Sequence, residues 1–261
     1  MSEAIVQWYP GHMARAMRRL GDDVRLVDAV VEAVDARVPH AGANPSLERI
    51  AAGKPRLLVL TRADLADPAL TERWLDFYRE SGRAALAVDA KERPDMLRLR
   101  AAFSAFLGEG RRARALVLGI PNAGKSTLIN ALAGKRVART EDRAGVTRAV
   151  QWFRVGAQLE LMDTAGILVP KIEGADAQWK LALVGAVPRA RFEAEDVVAR
   201  FTRWAAERGL AAVPDLATFA QSRGFVRRGT ILDTHNAAWS FLKDWNEGKF
   251  GRMTLEEPPA P

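Results

Sequence analysis

Gly119-Ile120-Pro121-Asn122-Ala123-Gly124-Lys125-Ser126 says more about the architecture of this chain than any other segment. Its spacing is G-x-x-x-x-G-K-[ST], the pattern of a loop that cradles phosphate. Glycine lets the backbone come close to a phosphate, and successive backbone N–H groups form a nest for an anion. Lys125 is placed to reach the outer phosphates and Ser126 to offer its hydroxyl to Mg²⁺. Working outward, Ala115 to Leu118 is predicted to be a short buried strand. Ser126 to Leu132 is predicted to be a helix whose positive N-terminal end faces the phosphates. Asn122, Ala123, Gly124, Lys125, Ser126 and Thr127 are therefore the candidate phosphate-binding residues.

The position of this loop is unusual, because more than a hundred residues precede it. Either a separate domain comes first or the nucleotide domain has been permuted. The upstream pattern alternates helices and strands: a helix over 13–27, a strand over 29–35, a strand over 57–60, a helix over 68–80 with a proline in its first turn, a strand over 84–88 and a helix over 94–106. This alternation predicts a mostly parallel sheet. Beyond the loop helix, 149–155 and 159–162 read as a hairpin joined by Gly156-Ala157-Gln158. From Asp176 onward the segments read as helices, at 193–207, 216–223 and 234–245. The fold class expected is α/β. A domain over 1–174 is followed by a small all-α domain over 175–261, with 166–174 as linker. The tail Glu256-Glu257-Pro258-Pro259-Ala260-Pro261 is expected to be disordered.

Composition narrows the functional classes. The chain has 261 residues, 48% of them hydrophobic and 27% charged, and it has no cysteine. Disulfides and thiolate chemistry are excluded, and a cytoplasmic location is the expectation. No apolar run approaches the length a membrane-spanning helix needs. The net charge of +7 suggests an anionic partner, nucleic acid above all. Arginines cluster at Arg15, Arg18 and Arg19, at Arg111, Arg112 and Arg114, and at Arg223, Arg227 and Arg228.

Further motifs sharpen the nucleotide reading. Asp163-Thr164-Ala165-Gly166 follows a strand downstream of the loop, where D-x-x-G is the switch II signal of GTPases. Asp163 would hold Mg²⁺, and the Gly166 N–H would sense the γ-phosphate. Gly145-Val146-Thr147 lies between, where switch I supplies a threonine to Mg²⁺. No N-K-x-D motif for guanine follows switch II. Upstream, Thr61-Arg62-Ala63-Asp64 stands at a strand end, and Asp64 could accept from guanine N1–H and N2–H₂. Adenine cannot supply that pair of donors. Asp89-Ala90-Lys91, at the next strand end, is placed to support the base. Each segment reads equally as an ordinary capping loop.

The order of base loop, P-loop, switch I and switch II resembles that of circularly permuted GTPases. The chain is similar to the YlqF/RbgA family in Trp8-Tyr9-Pro10-Gly11-His12-Met13, in Asp35-Ala36-Arg37-Val38-Pro39, in the run from Asp163 to Lys171 and in Gly248-Lys249-Phe250-Gly251. The resemblance implies a circularly permuted P-loop GTPase domain. It implies GTP and GDP as ligands, Mg²⁺ at Ser126, Thr147 and Asp163, and K⁺ at Asn122. It also implies a partner in the large ribosomal subunit precursor, its rRNA and proteins, met by the helical domain. Ile167 stands where other GTPases carry a water-orienting glutamine, and the resemblance points to His12 instead as the catalytic group beside Lys125. Two departures stand out. Thr61 and Arg62 replace the usual Asn and Lys, which puts guanine affinity in question, and Asn246 stands where the tail pattern carries arginine. Two other readings stay open: an RNA-binding module whose nucleotide site is mainly structural, and an ATPase.

Overall fold

The computed structural model describes residues 10–44, 49–51, 53–107, 112–134, 151–156, 159–163, 174–227 and 231–259; for 10–17, 104, 107 and 227 it describes the backbone alone. These residues form two compact units. One holds residues 10–163 together with 253–259, and the other holds 174–252. The last residues, 253–259, thus belong with the first unit.

The first unit is built on six strands: β1 (Ala29–Asp35), β2 (Arg56–Thr61), β3 (Ala84–Ala87), β4 (Ala113–Leu118), β5 (Gln151–Val155) and β6 (Leu159–Asp163). Their spatial order is β3-β2-β1-β4-β6-β5. All neighbours pair in parallel except β5 with β6, which form the expected antiparallel hairpin. All seven residues of β1 are buried, as a central parallel strand covered on both faces requires.

Side chains alternate between the two faces. On one face Val31, Val59, Val117 and Leu161 pack against Leu99 and Phe103 of α4 (Arg93–Leu107) and Leu128 and Leu132 of α5 (Lys125–Ala133). On the other, Val30, Leu116 and Met162 meet Leu20 and Val24 of α1 (Pro10–Arg25). Farther along that face, Val34, Leu58 and Leu60 meet Trp74, Leu75 and Tyr78 of α3 (Pro68–Glu80). A four-residue helix, α2 (Pro39–Gly42), follows β1. Chain order reverses between β1 and β4: β2 and β3 lie on one side of β1 and β4 on the other. Ligand crevices of open α/β sheets form at such a point, outside the carboxyl ends of the strands.

The tail is a correction to the expected disorder. Residues 253–257 form a strap on the first unit. The Met253 N–H donates to the Leu65 carbonyl (3.0 Å) and the Leu255 N–H to the Arg37 carbonyl (2.8 Å). The Thr254 hydroxyl donates to the Ala36 carbonyl (3.2 Å) and accepts from the Asp67 N–H (3.1 Å). The Glu256 carboxylate accepts from the His40 N–H (2.7 Å) and the Ala41 N–H (3.1 Å) at the start of α2. Trp74 Nε1 donates to the Glu256 carbonyl (3.0 Å). Proline-rich composition argues only against helix and sheet ladders; here side chains and single backbone bonds hold an extended segment in place.

The second unit is helical, with α6 (Ala175–Leu183), α7 (Ala194–Glu207), α8 (Leu216–Ser222) and α9 (Thr234–Asn246). It is not all-α, since Val226–Arg227 and Ile231–Leu232 pair as a short antiparallel ladder. Asp215 and Asp233 cap α8 and α9 by accepting from the Thr218 and Asn236 N–H groups. The core centres on Phe241, whose ring lies 6.1 Å from Phe201, 5.1 Å from Phe219 and 4.6 Å from Phe250. Gly248-Lys249-Phe250-Gly251 is thus architectural. Phe250 fills the core, and the Lys249 ammonium sits 2.7 Å from the buried Asp244 carboxylate. Asn246, which stands where the tail pattern carries arginine, turns inward and donates to the carbonyls of Leu183 and Leu242, both at 2.8 Å.

Candidate nucleotide site

The carboxyl edge of the sheet collects the chemistry. β1 ends at Asp35, β2 at Thr61, β3 at Ala87, β4 at Leu118 and β6 at Asp163, all at this one edge. The loop after β4 is the phosphate-binding sequence. Gly119 has φ of 152°, and a Cβ there would lie 2.3 Å from the Ala33 carbonyl oxygen, so β1 and the loop touch through bare backbone. Asn122 (φ 59°) and Gly124 (φ 78°) are left-handed, and they turn the chain so that α5 starts at Lys125. Ser126 is half-buried and Thr127 exposed beside it.

Lys125 is buried. Its ammonium donates to the carbonyls of Ile120 (2.7 Å) and Gly119 (3.2 Å). Burial pulls its pKa down to about 8, and the negative charge of Asp163 works against that fall. A lysine that the fold desolvates is stabilised by any anion brought to it, and a triphosphate is such an anion.

Thr61 takes a different place from the expected base contact. It is buried, and its hydroxyl hydrogen is shared between the carbonyls of Ala123 (2.8 Å) and Val34 (3.1 Å). It ties the end of β2 to the phosphate loop and to β1. The two loops, 62 residues apart in sequence, are therefore parts of one site. Gly124 shares that contact, since a Cβ on it would come within 3.4 Å of Thr61 Cβ.

Arg62 is left-handed (φ 55°) although it is not glycine. Its Nε lies 3.8 Å from the Asp35 carboxylate. Asp35 is fully buried and holds Arg37 by a fork of two bonds, 2.9 Å to Nε and 2.7 Å to Nη2. Burial works to raise the Asp35 pKa, but the charge and hydrogen bonds of Arg37, with the charge of Arg62, hold it below the usual carboxylate range. The Leu65 N–H closes a turn onto the Arg62 carbonyl (2.9 Å), with Asp64 inside it. Asp64 meets the next loop at Lys91, Nζ to Oδ2 3.2 Å. The Asp89 carboxylate is engaged locally by the Lys91 N–H (2.9 Å), and Ala90 is partly buried against the core.

The structure thus brings Thr61, Arg62, Asp64, Asp89, Ala90, residues 122–127 and Asp163 to one edge. Thr147 and Gly166 lie outside the described residues, as do Trp8, Tyr9 and Ile167. His12 is placed in α1 by its backbone, and its side chain is outside the description. Sequence reasoning gave Asp35 and Arg37 no role beyond their place in the family motif, and gave none to the strap. The alternation Met253-Thr254-Leu255-Glu256, apolar then polar, is a period-two signal that could have revealed the strap.

Residues 114–207 match the family model described as 50S ribosome-binding GTPase. Ribosome biogenesis GTPase A of Priestia megaterium is 37% identical, over 97% of this chain and 97% of that one. The same-named protein of Thermotoga maritima is 34% identical, over 97% and 95%. Mouse mitochondrial ribosome-associated GTPase 1 is 32% identical, over 70% of this chain and 61% of that one. Among solved structures, GDP-bound YlqF matches with a TM-score of 0.75 at 33% identity, covering 92% of this chain and 99% of that chain. GNP-bound YlqF from T. maritima matches with the same score at 32% identity, covering 94% and 98%.

Proposed function

The chain belongs to the ribosome biogenesis GTPase A family, and on that premise we propose that this GTPase assists assembly of the large ribosomal subunit, docking on the precursor with GTP bound and leaving after hydrolysis. The observation that carries the reading is the bond from Thr61 to the Ala123 carbonyl, which joins the base loop to the phosphate loop. With Asp64 beside it, one crevice can read a guanine edge and hold its phosphates. The motif order fits a circularly permuted domain, in which the base loops precede the P-loop in sequence and sit beside it in space.

Roles follow from chemistry at each residue. Lys125 and the loop N–H groups bind the β- and γ-phosphates and offset the charge that gathers on the transferred group. Asp64 accepts from guanine, and Arg62 lays its guanidinium against the base. The Ser126 hydroxyl and the Asp163 carboxylate are hard oxygen donors, the set that suits Mg²⁺, with Thr147 and Gly166 completing the switches. The Asn122 side-chain amide supplies an oxygen suited to K⁺, a second positive charge near the phosphates. His12 is the candidate for positioning the attacking water. The helical unit is the surface that meets rRNA.

Turnover of GTP is measured with and without purified large subunits, in potassium and in sodium buffer. Faster hydrolysis with subunits and potassium is expected, and His12→Ala is expected to remove the acceleration while GTP binding survives. Co-sedimentation with subunits should be stronger under a non-hydrolysable GTP analogue than under GDP. Equal sedimentation in both states would defeat the switch and favour a structural nucleotide.

A further inference from the structure

The sheet has a second edge, where the parallel strands begin, and it is lined with cations. A cavity of about 440 Å³ opens there. Arg25 at the end of α1, Lys54 before β2, Arg112 before β4, Arg114 on β4 and Arg154 on β5 line it, with Asp28 and Glu160. Five cations meet two carboxylates, and both carboxylates are already engaged. Asp28 accepts from the Arg114 N–H (2.9 Å). Glu160 lies 3.1 Å from Arg114 Nε and 3.7 Å from Arg154 Nη2. Register explains that row: Glu160 of β6 pairs with Arg114 on one side and with Arg154 on the other. Two residues from Arg154, on the same face of the edge strand, stands Trp152. Its ring is 41% exposed, and the Arg114 guanidinium lies 5.2 Å from the ring centre.

We propose that this cavity binds single-stranded RNA, with backbone phosphates among Arg25, Lys54 and Arg112 and a base stacked on Trp152. An excess of positive charge in a concave site concentrates an anion. Arginine forks fit phosphate oxygens, and an exposed indole beside them offers a flat partner that any base can use. The volume lies in the range of small-ligand clefts, so it takes a nucleotide of an open strand rather than the width of a duplex. An acidic peptide would meet the cations but would leave the indole without a flat partner. A lipid surface would want a broad apolar rim, and Leu26 is the one large apolar side chain among the lining residues that is exposed. The site lies at the opposite ends of the strands from the phosphate loop, so RNA and nucleotide occupy separate places on one sheet. The proposal deepens the ribosomal reading, and its biological meaning rests on that reading.

The test is binding of a fluorescein-labelled unstructured RNA to the full chain, by anisotropy across a salt series, with GDP affinity measured in parallel. Arg25→Ala with Arg112→Ala is expected to weaken RNA binding and to flatten the log–log salt slope by about 1.4, since each single-strand phosphate contact contributes roughly 0.7. Trp152→Ala is expected to weaken binding about tenfold with the slope unchanged, as loss of stacking requires. GDP affinity should stay at the wild-type value in both. Wild-type RNA affinity and slope in both variants would overturn the proposal. So would loss of binding to phosphatidylserine vesicles with RNA binding intact. Wild-type protein that binds this RNA through the cavity but fails to sediment with subunits would tell against the ribosomal reading alone.

Discussion

Removing the chain beyond Arg252 should both destabilise the sheet unit and loosen its base loop. The size of the effect follows from the strap. Met253 and Leu255 are 7% and 3% exposed; burying two such side chains stabilises by roughly 2 kcal/mol each. The seven hydrogen bonds to Leu65, Ala36, Asp67, Arg37, His40, Ala41 and Trp74 contribute roughly 1 kcal/mol each. Ordering the backbone of five residues opposes this by roughly 1.5 kcal/mol per residue. The net is about 3.5 kcal/mol, which for a unit of this size lowers Tm by roughly 10 °C. The consequence for the site comes through Leu65 and Asp67, which the strap grips immediately beyond Asp64. A looser turn should weaken GDP binding more than IDP binding. Hypoxanthine lacks the 2-amino group and gives Asp64 one donor fewer, so it has less to lose. Thermal unfolding and competition of GDP against IDP check both halves. Glu256→Ala, which keeps the rest of the strap, should show a smaller change in the same direction, and Glu256→Gln should recover part of it. A truncated chain with wild-type Tm and an unchanged GDP-to-IDP ratio would refute the reasoning.

Other outcomes follow from single residues. For Lys125, the ammonium is charged in both folded and unfolded chains below pH 8, and its burial there costs stability. Between about pH 8 and 10.5 the unfolded chain holds a proton that the folded one has released, so stability of the nucleotide-free protein should rise with pH. The rise is on the order of 3 kcal/mol, it should vanish in Lys125→Met, and urea unfolding across that window reads it. Lys125→Met should also abolish GTP binding while leaving the nucleotide-free fold at neutral pH at least as stable as wild type. Thr61→Val removes a buried hydroxyl that serves two carbonyls; it should cost about 1–3 kcal/mol in urea unfolding and weaken GTP and ITP alike in a filter-binding assay. Asp35→Ala leaves Arg37 buried beside a missing partner and should cost roughly 3–5 kcal/mol, enough that recovery of soluble protein is the first measurement to show it.

The first unit was legible because its signals are local. The near-continuous apolar runs of β1 and β2, the proline at the start of α3, and the glycine spacing of the phosphate loop each act over a few residues. The helix at 68–80 matches the observed α3 residue for residue, since Asp67 caps it and Pro68 can occupy only a first turn. What the sequence hid was long-range. That Thr61 faces the phosphate loop and not a base depends on the register of β1 with β2, which places Asp35 opposite Thr61. A hydroxyl in a base-loop motif reads as a base contact until that register is known. The strap was misread for a related reason. Glu-Glu-Pro-Pro carries no helix or strand propensity, and the partners of Glu256 at His40, Ala41 and Trp74 lie more than a hundred residues away.

The strap also changes what kind of object the helical unit is. A domain attached at one end can be moved without consequence for its neighbour. Two chain connections join it to the first unit, one in the segment that follows β6 and the other at Met253, whose N–H donates to the Leu65 carbonyl. One junction follows the carboxylate whose charge Lys125 feels, and the other adjoins the turn that carries Asp64. A partner that binds the helical unit is expected to act on both ends of the nucleotide crevice, and the release of bound nucleotide reads that effect. By reciprocity, nucleotide that tightens either end changes affinity for that partner by the same factor. Freeing the second junction should reduce this coupling without touching the P-loop. Release of a fluorescent GDP analogue should respond to added large subunits in the intact chain, and the response should shrink in Glu256→Ala. An equal response in both would assign all of the coupling to the Asp163 side.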